Sequence, residues 1–226
     1  VRINFQNNSF NNLNKNIILL QSMFAVTFTA NRDSRWLYEI LQFLFNHIEE
    51  LNQTEFASLF KDFLEKMAVR YAEERLFTED KSIKKYGAIP VYAFNFVDYV
   101  LWKNREELKK DYDIEFKDFK FAYRRSVEHW YPQNPNGHDG ESQLPAEFLH
   151  SFGNLCIVTD IQNSRFGNSY PEAKLEQWER EGIFYRQSLK LQMMAEITSK
   201  KNRWDIGEIQ SMEKEVERYV QNFCNS

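Results

Sequence analysis

Three short stretches hold the side chains best suited to chemistry. Glu128-His129-Trp130-Tyr131-Pro132-Gln133 sets a carboxylate beside an imidazole. Gly153-Asn154-Leu155 follows a polar loop, and Asn163, Asn168 and Lys174 come next in an Asn-x4-Asn-x5-Lys spacing. An imidazole with an ordinary pKa of about 6.5 takes up and returns a proton near neutral pH. Carboxylate and amide oxygens are the hard ligands that a small divalent cation prefers, and Glu128 and Asn163 supply one of each. Each piece also has a bland reading. Adjacent Glu and His arise by chance in many chains, Gly153-Asn154 and Asn163-Ser164 read as turns, and Asn168-Ser169 before Pro171 reads as a helix cap. His138 and His150 are spare candidates for a third ligand, with loop and surface positions as the blander alternative.

These residues need elements to position them. Phe119, Phe121 and Tyr123 alternate with Lys120, Ala122 and Arg124, the two-residue period of a strand that runs on to His129. Neighbouring strand residues face opposite ways. Glu128 and His129 therefore share a site only if the strand ends or bulges there, and Pro132 just beyond suits that. His129 is expected at the mouth of a cleft. Residues 155–158 form a short apolar run, and a strand over about 155–160 is predicted to pair antiparallel with 119–129. A helix is predicted to start near Pro171, with further helices over 184–198 and 206–223. Upstream, helical patterns cover 17–28, a stretch behind Ser34, one behind Thr54, and one from Pro90 to about Trp102. Leu37, Ile40, Leu41, Leu44, Ile48 and Leu51 share a face and read as core.

Composition sets the limits. The 226 residues hold few Gly (7) and Pro (5), which favours helices over a many-turned β-sandwich. The net charge of −4 advertises no global field for nucleic acid, so any such contact must be local. Two cysteines exclude a disulfide scaffold or a four-cysteine zinc site. No apolar run approaches the ~20 residues that span a bilayer. The chain starts at Val1 without a signal-peptide pattern, so a piece of a longer cytoplasmic protein is expected. Eight charges among residues 103–113 place an expected boundary near 112, between a helical linking or packing domain (1–112) and a second domain (113–226).

The ordered set Glu-His-x-x-Pro-Gln, Gly-Asn-Leu and Asn-x4-Asn-x5-Lys resembles an HNH endonuclease, the ββα-metal fold. Across residues 119–175 it is most similar to the C-terminal nuclease domain of GmrSD-type modification-dependent restriction enzymes. The resemblance implies a mainly α chain with a small β-hairpin in an HNH-like core flanked by helices. It implies DNA cleavage with a divalent metal, Mg²⁺ or Mn²⁺, and defence against foreign or modified DNA. It assigns His129 as general base and Glu128 and Asn163 as metal ligands. Asn154 would hold His129 in register, and Arg165, Asn168 and Lys174 would lie near the phosphate. It also implies a ParB-like domain N-terminal to this one in the same polypeptide. Glu128 departs from the Asp or His often found at the first metal position, and the cysteine pairs that pin some such loops are absent from the sequence.

Among residues 162–203, eight basic groups face five acidic ones, densest at Lys200, Lys201 and Arg203, where a phosphate backbone could track. A solvated helix end explains that cluster equally well. Two alternatives stay open. One is a nucleic-acid-binding module with a degenerate site, and the other is an interaction module carried by residues 1–112, which a broad exposed aromatic patch would favour. Assembly of identical copies is also open.

Overall fold

The structure, a computed structural model, describes residues 10–29, 33–114, 116, 118–136, 144–182 and 187–226. His138 lies outside the described residues. Three long helices open the chain: α1 (Asn14–Thr27), α2 (Arg35–Asn46) and α3 (Phe56–Arg75). Pro90 holds the extended backbone that precedes α4 (Val91–Lys103), as its fixed φ and missing N–H favour. α4 is buried from Tyr92 through Trp102 and packs against α1 and α3. A short α5 (Arg105–Leu108) follows. The remaining elements are β1 (Ser126–His129), α6 (Ala146–Leu149), β2 (Leu155–Val158), α7 (Asp160–Phe166), α8 (Pro171–Glu181), α9 (Leu189–Lys201) and α10 (Ile206–Cys224). The molecule is thus mainly helical with a two-stranded antiparallel hairpin, as expected.

α4 is also the floor under the hairpin, packing against β2, α9 and α10. Phe94 of α4 meets Phe152 with ring centroids 5.1 Å apart, and one hydrophobic cluster runs from Ile17 to Val220. Asp98 of α4 is fully buried and accepts hydrogen bonds from Ser188 Oγ (2.8 Å) and the Lys190 backbone N–H (3.1 Å), with Arg124 at 3.5 Å. This network ties α4 to the start of α9 and to the chain entering β1. Burial pushes the Asp98 carboxyl up, and the Arg124 charge opposes it.

Two sequence expectations are corrected. The ladder covers Ser126–His129 and not 119–129: Ser126 pairs with Val158 and His129 with Leu155. The reason lies in the partner. Thr159 starts a capping box, its Oγ accepting from Gln162 N (3.2 Å) while the Gln162 side chain accepts from Thr159 N (3.1 Å). β2 therefore turns into α7 after four residues, and nothing remains for 119–125 to pair with. The second correction concerns α2. Of its expected core face only Ile40 is buried, while Leu41 is 56% and Ile48 61% exposed, and Phe45 beside them is 74% exposed. Periodicity identifies an apolar face but not what covers it. The helix ends at Asn46, and Ile48 and Leu51 lie beyond it. Among the described residues, no helix is long and apolar enough to cross a membrane.

Candidate active site

The site is built on the end of β1. Glu128 and His129 are 8% and 6% exposed, and both line a small polar cleft of about 190 Å³ with Gln133, Asn163 and Asn168. The ladder stops at His129, which lets two adjacent side chains reach one cleft. His129 was expected at a cleft mouth, and the structure sinks it deeper. Tyr86 covers its ring edge-to-face at 4.4 Å between centroids.

Three buried groups hold this strand end from below. Lys174, in the first turn of α8, is completely buried. Its ammonium donates to Glu128 Oε1 (2.5 Å), His129 O (2.6 Å) and Trp130 O (3.2 Å). The resemblance put Lys174 near a phosphate; the structure instead puts it beneath the strand. Asn154 is also fully buried. Its amide donates to Tyr131 O (3.0 Å) and Leu149 O (2.9 Å), and its Oδ1 accepts from Tyr131 N (2.8 Å) and Trp204 Nε1 (3.1 Å). All four hydrogen-bonding positions of this amide are thus used, two of them on the residue next but one after His129. Lys190 of α9 donates to the carbonyls of Phe152 (2.8 Å), Gly153 (3.4 Å) and Leu155, holding the Gly-Asn-Leu turn from its other side. A Cβ on Gly153 would stand 2.1 Å from Ile209 O in α10, so only glycine allows that approach.

Burial dominates the electrostatics. It pushes the His129 imidazole down to about 4, helped by the charges of His150 and Lys174, so the ring is neutral and proton-accepting at neutral pH. Burial also raises Glu128 and lowers Lys174, with their mutual attraction opposing both shifts. Desolvation thus pushes both partners of this pair toward their neutral forms.

The opposite side of the cleft is open. Asn163 stands half-buried on α7, where the sequence also allowed a turn. Asn168 is exposed and lines the cleft, Arg165 is exposed on α7 but does not line it, and Gly167 ends the helix with φ +47°. One carboxylate and one amide across a cleft form a donor set that suits a hard cation held by few protein oxygens, with water and substrate completing its shell. Among the described residues, no group of three or more His, Cys, Asp and Glu gathers as a cage.

The basic cluster stands apart from this cleft. Lys200 pairs with Glu196 (2.6 Å), Lys201 with Glu208 (2.8 Å), and Arg203 with Asp205 (3.8 Å) and Glu208 (3.7 Å). Lys200 borders a larger cavity of about 650 Å³ with Asp113, Trp178 and Glu196, which none of the proposed catalytic or metal-binding side chains lines.

Sequence reasoning missed Tyr86, which reaches the site from a loop over 40 residues upstream and carries no local signal beyond the turn at Gly87. It noted His150 as a spare ligand, and the structure sets His150 Nδ1 3.1 Å from His129 Nε2. It quoted Gln133 without a role, and that amide lies 3.2 Å from both ring nitrogens of His129.

Residues 74–216 match the family model described as GmrSD restriction endonucleases, C-terminal domain. No curated protein and no solved structure matches the chain.

Proposed function

The chain belongs to the C-terminal domain family of GmrSD restriction endonucleases, and on that premise we propose that it is an HNH-type endonuclease that hydrolyses DNA phosphodiester bonds with a divalent metal, Mg²⁺ or Mn²⁺. The observation that carries this reading is the meeting of Glu128, His129 and Asn163 on one cleft. His129, neutral at the working pH, takes the proton of the attacking water. Glu128 and Asn163 would hold the cation, which when bound neutralises a phosphate oxygen and the leaving 3′ oxygen. Asn154 and Lys174 act at one remove. They fix the backbone of residues 129–131, so the imidazole needs no reorganisation when substrate arrives. Asn168, at the open side of the cleft, and Arg165, exposed on α7 outside it, would meet the DNA backbone. The activity belongs to restriction of foreign or modified DNA in the cytoplasm, together with a ParB-like domain N-terminal to this one.

The test is plasmid cleavage by the full chain in Mg²⁺, Mn²⁺ or EDTA. His129→Ala is expected to lower the rate by about 10²–10⁴-fold, the usual worth of a positioned base. Asn163→Ala should raise the Mn²⁺ concentration needed, whereas Asn154→Ala should lose activity that added metal does not restore. Cleavage that persists in EDTA, or a folded His129→Ala variant as fast as the parent, overturns the mechanism.

A second reading is favoured by one observation, the exposed face of Leu37, Tyr38, Leu41 and Phe45 on α2. An uncovered apolar stripe of this kind suits a protein contact, and its occupant here would be the N-terminal domain of the longer enzyme. Loss of association between the two domains on Phe45→Lys would support it, and unchanged association would remove it.

A further inference from the structure

We infer that His150, clamped by Tyr86, is a positioning residue that selects the tautomer of His129 and thereby decides which ring nitrogen acts as base. This rests on the reading of His129 as general base, and the argument is one of elimination. His129 Nε2 and His150 Nδ1 lie 3.1 Å apart, close enough that one must donate to the other. A neutral imidazole has one N–H and one lone pair. If His150 donated, the single lone pair of His129, on Nε2, would be filled by that bond, and His129 would have no basic nitrogen left for water. Only the reverse arrangement leaves a base. His129 donates its Nε2–H to His150 Nδ1, and its lone pair stands free on Nδ1.

The surroundings agree with this polarity. Gln133 Nε2 lies 3.2 Å from His129 Nδ1 and equally far from Nε2. An amide nitrogen equidistant from both ring nitrogens stands over the face of the imidazole and in line with neither lone pair. Gln133 therefore does not compete with water for the in-plane lone pair on Nδ1. His150 is itself well fixed. Its backbone N–H donates to Ala146 O (3.0 Å), its carbonyl accepts from Tyr86 N (3.0 Å), and the Tyr86 ring stacks on it at 5.6 Å and 16°. The same Tyr86 ring meets His129 edge-on, so one residue from a distant loop sets the angle between the two imidazoles. In the reaction, a proton of water moves to His129 Nδ1 as the oxygen bonds to phosphorus. The P–O3′ bond breaks, and the leaving oxygen takes a proton from solvent. The imidazolium that forms keeps its Nε2–H on the His150 lone pair, so His150 holds the ring in both states.

The test joins ¹⁵N spectroscopy of the His129 ring to cleavage kinetics on the full chain. The parent should show His129 with hydrogen on Nε2. His150→Ala should give mixed tautomers and a kcat lower by about 10–10²-fold, with KM for plasmid nearly unchanged. His150→Asn should recover both the Nε2–H form and most of the rate, because the Asn Oδ1 replaces Nδ1 as acceptor. A parent carrying hydrogen on Nδ1 overturns the inference without any variant, as does His150→Ala with tautomer and rate unchanged, or His150→Asn no better than the alanine variant. If the parent cuts no DNA, the nuclease reading fails while the tautomer measurement still tests the link between the two histidines.

Discussion

Two groups of cationic side chains in the second half of the molecule differ in almost every respect. Lys174 and Lys190 sit beneath the hairpin with their ammonium groups out of water, donating to backbone carbonyls and to Glu128. Lys200, Lys201 and Arg203 sit at and just beyond the end of α9, half or more exposed, and meet carboxylates. The buried pair shapes the loop that presents His129. The exposed group lies where a helix C-terminus welcomes positive charge, and solvent screens its ion pairs. Similar residue types thus do opposite work, and burial decides which. A lysine under a catalytic loop can organise backbone without ever touching substrate.

The sharpest way to break this comparison is Lys174→Met. It strands the Glu128 carboxylate, 11% exposed, without its partner, and breaking a buried ion pair of this kind costs about 3–5 kcal/mol. The double variant with Glu128→Gln should regain a large part of that stability. Chemical denaturation reads both, and a loss below about 1 kcal/mol would place Lys174 with the exposed group. Lys190→Met should come next. It leaves the carbonyls of Phe152, Gly153 and Leu155 without their buried donor, for a loss of about 2–3 kcal/mol in the same measurement.

Glu208 sharpens the contrast through pH. Burial alone would raise its carboxyl, but the Lys201 ammonium and the Asp205 contacts outweigh that and hold it at about 2. The folded carboxyl then binds a proton less readily than the unfolded one. Its contribution is complete above about 4.5 and drains away as pH falls toward about 2. Glu208→Gln should flatten the acid limb of thermal stability over that window and leave the neutral-pH fold intact. An unchanged acid limb would show that the carboxylate is not held by this cluster. The smallest effect belongs to Lys200→Ala, whose exposed pair with Glu196 should change stability by less than about 0.5 kcal/mol. If this lysine tracks a phosphate backbone, the same variant should lower the salt dependence of DNA binding by about one unit of slope. A larger stability loss would erase the difference between the two groups.

Much of this was legible in the chain. The three motifs, through the family resemblance they carry, pointed to Glu128, His129 and Asn163, which meet at one cleft. The start of α8 at Pro171 and the entry to α4 at Pro90 followed from local backbone preference, as did the strand ending at His129. The apolar run at 155–158 marked the second strand, and the alternation up to His129 marked its antiparallel partner. These features are local, and a sequence encodes local preference directly.

What the tertiary structure alone decided is where each group meets the others. The α2 pattern reads as core in one dimension, yet its outer face stays exposed, because a hydrophobic period cannot report whether another element covers it. Strand alternation over 119–125 found no ladder, since pairing needs a partner and β2 ends at its capping box. Lys174 became a buried brace, although its one-dimensional spacing equally suits a residue that contacts phosphate. Tyr86 and His150 reached His129 through long-range folding, from positions 43 residues before it and 21 after it. The sequence determined which chemistry was at hand. Packing decided which atoms face one another, because non-local contacts depend on the whole chain and leave no spacing to read.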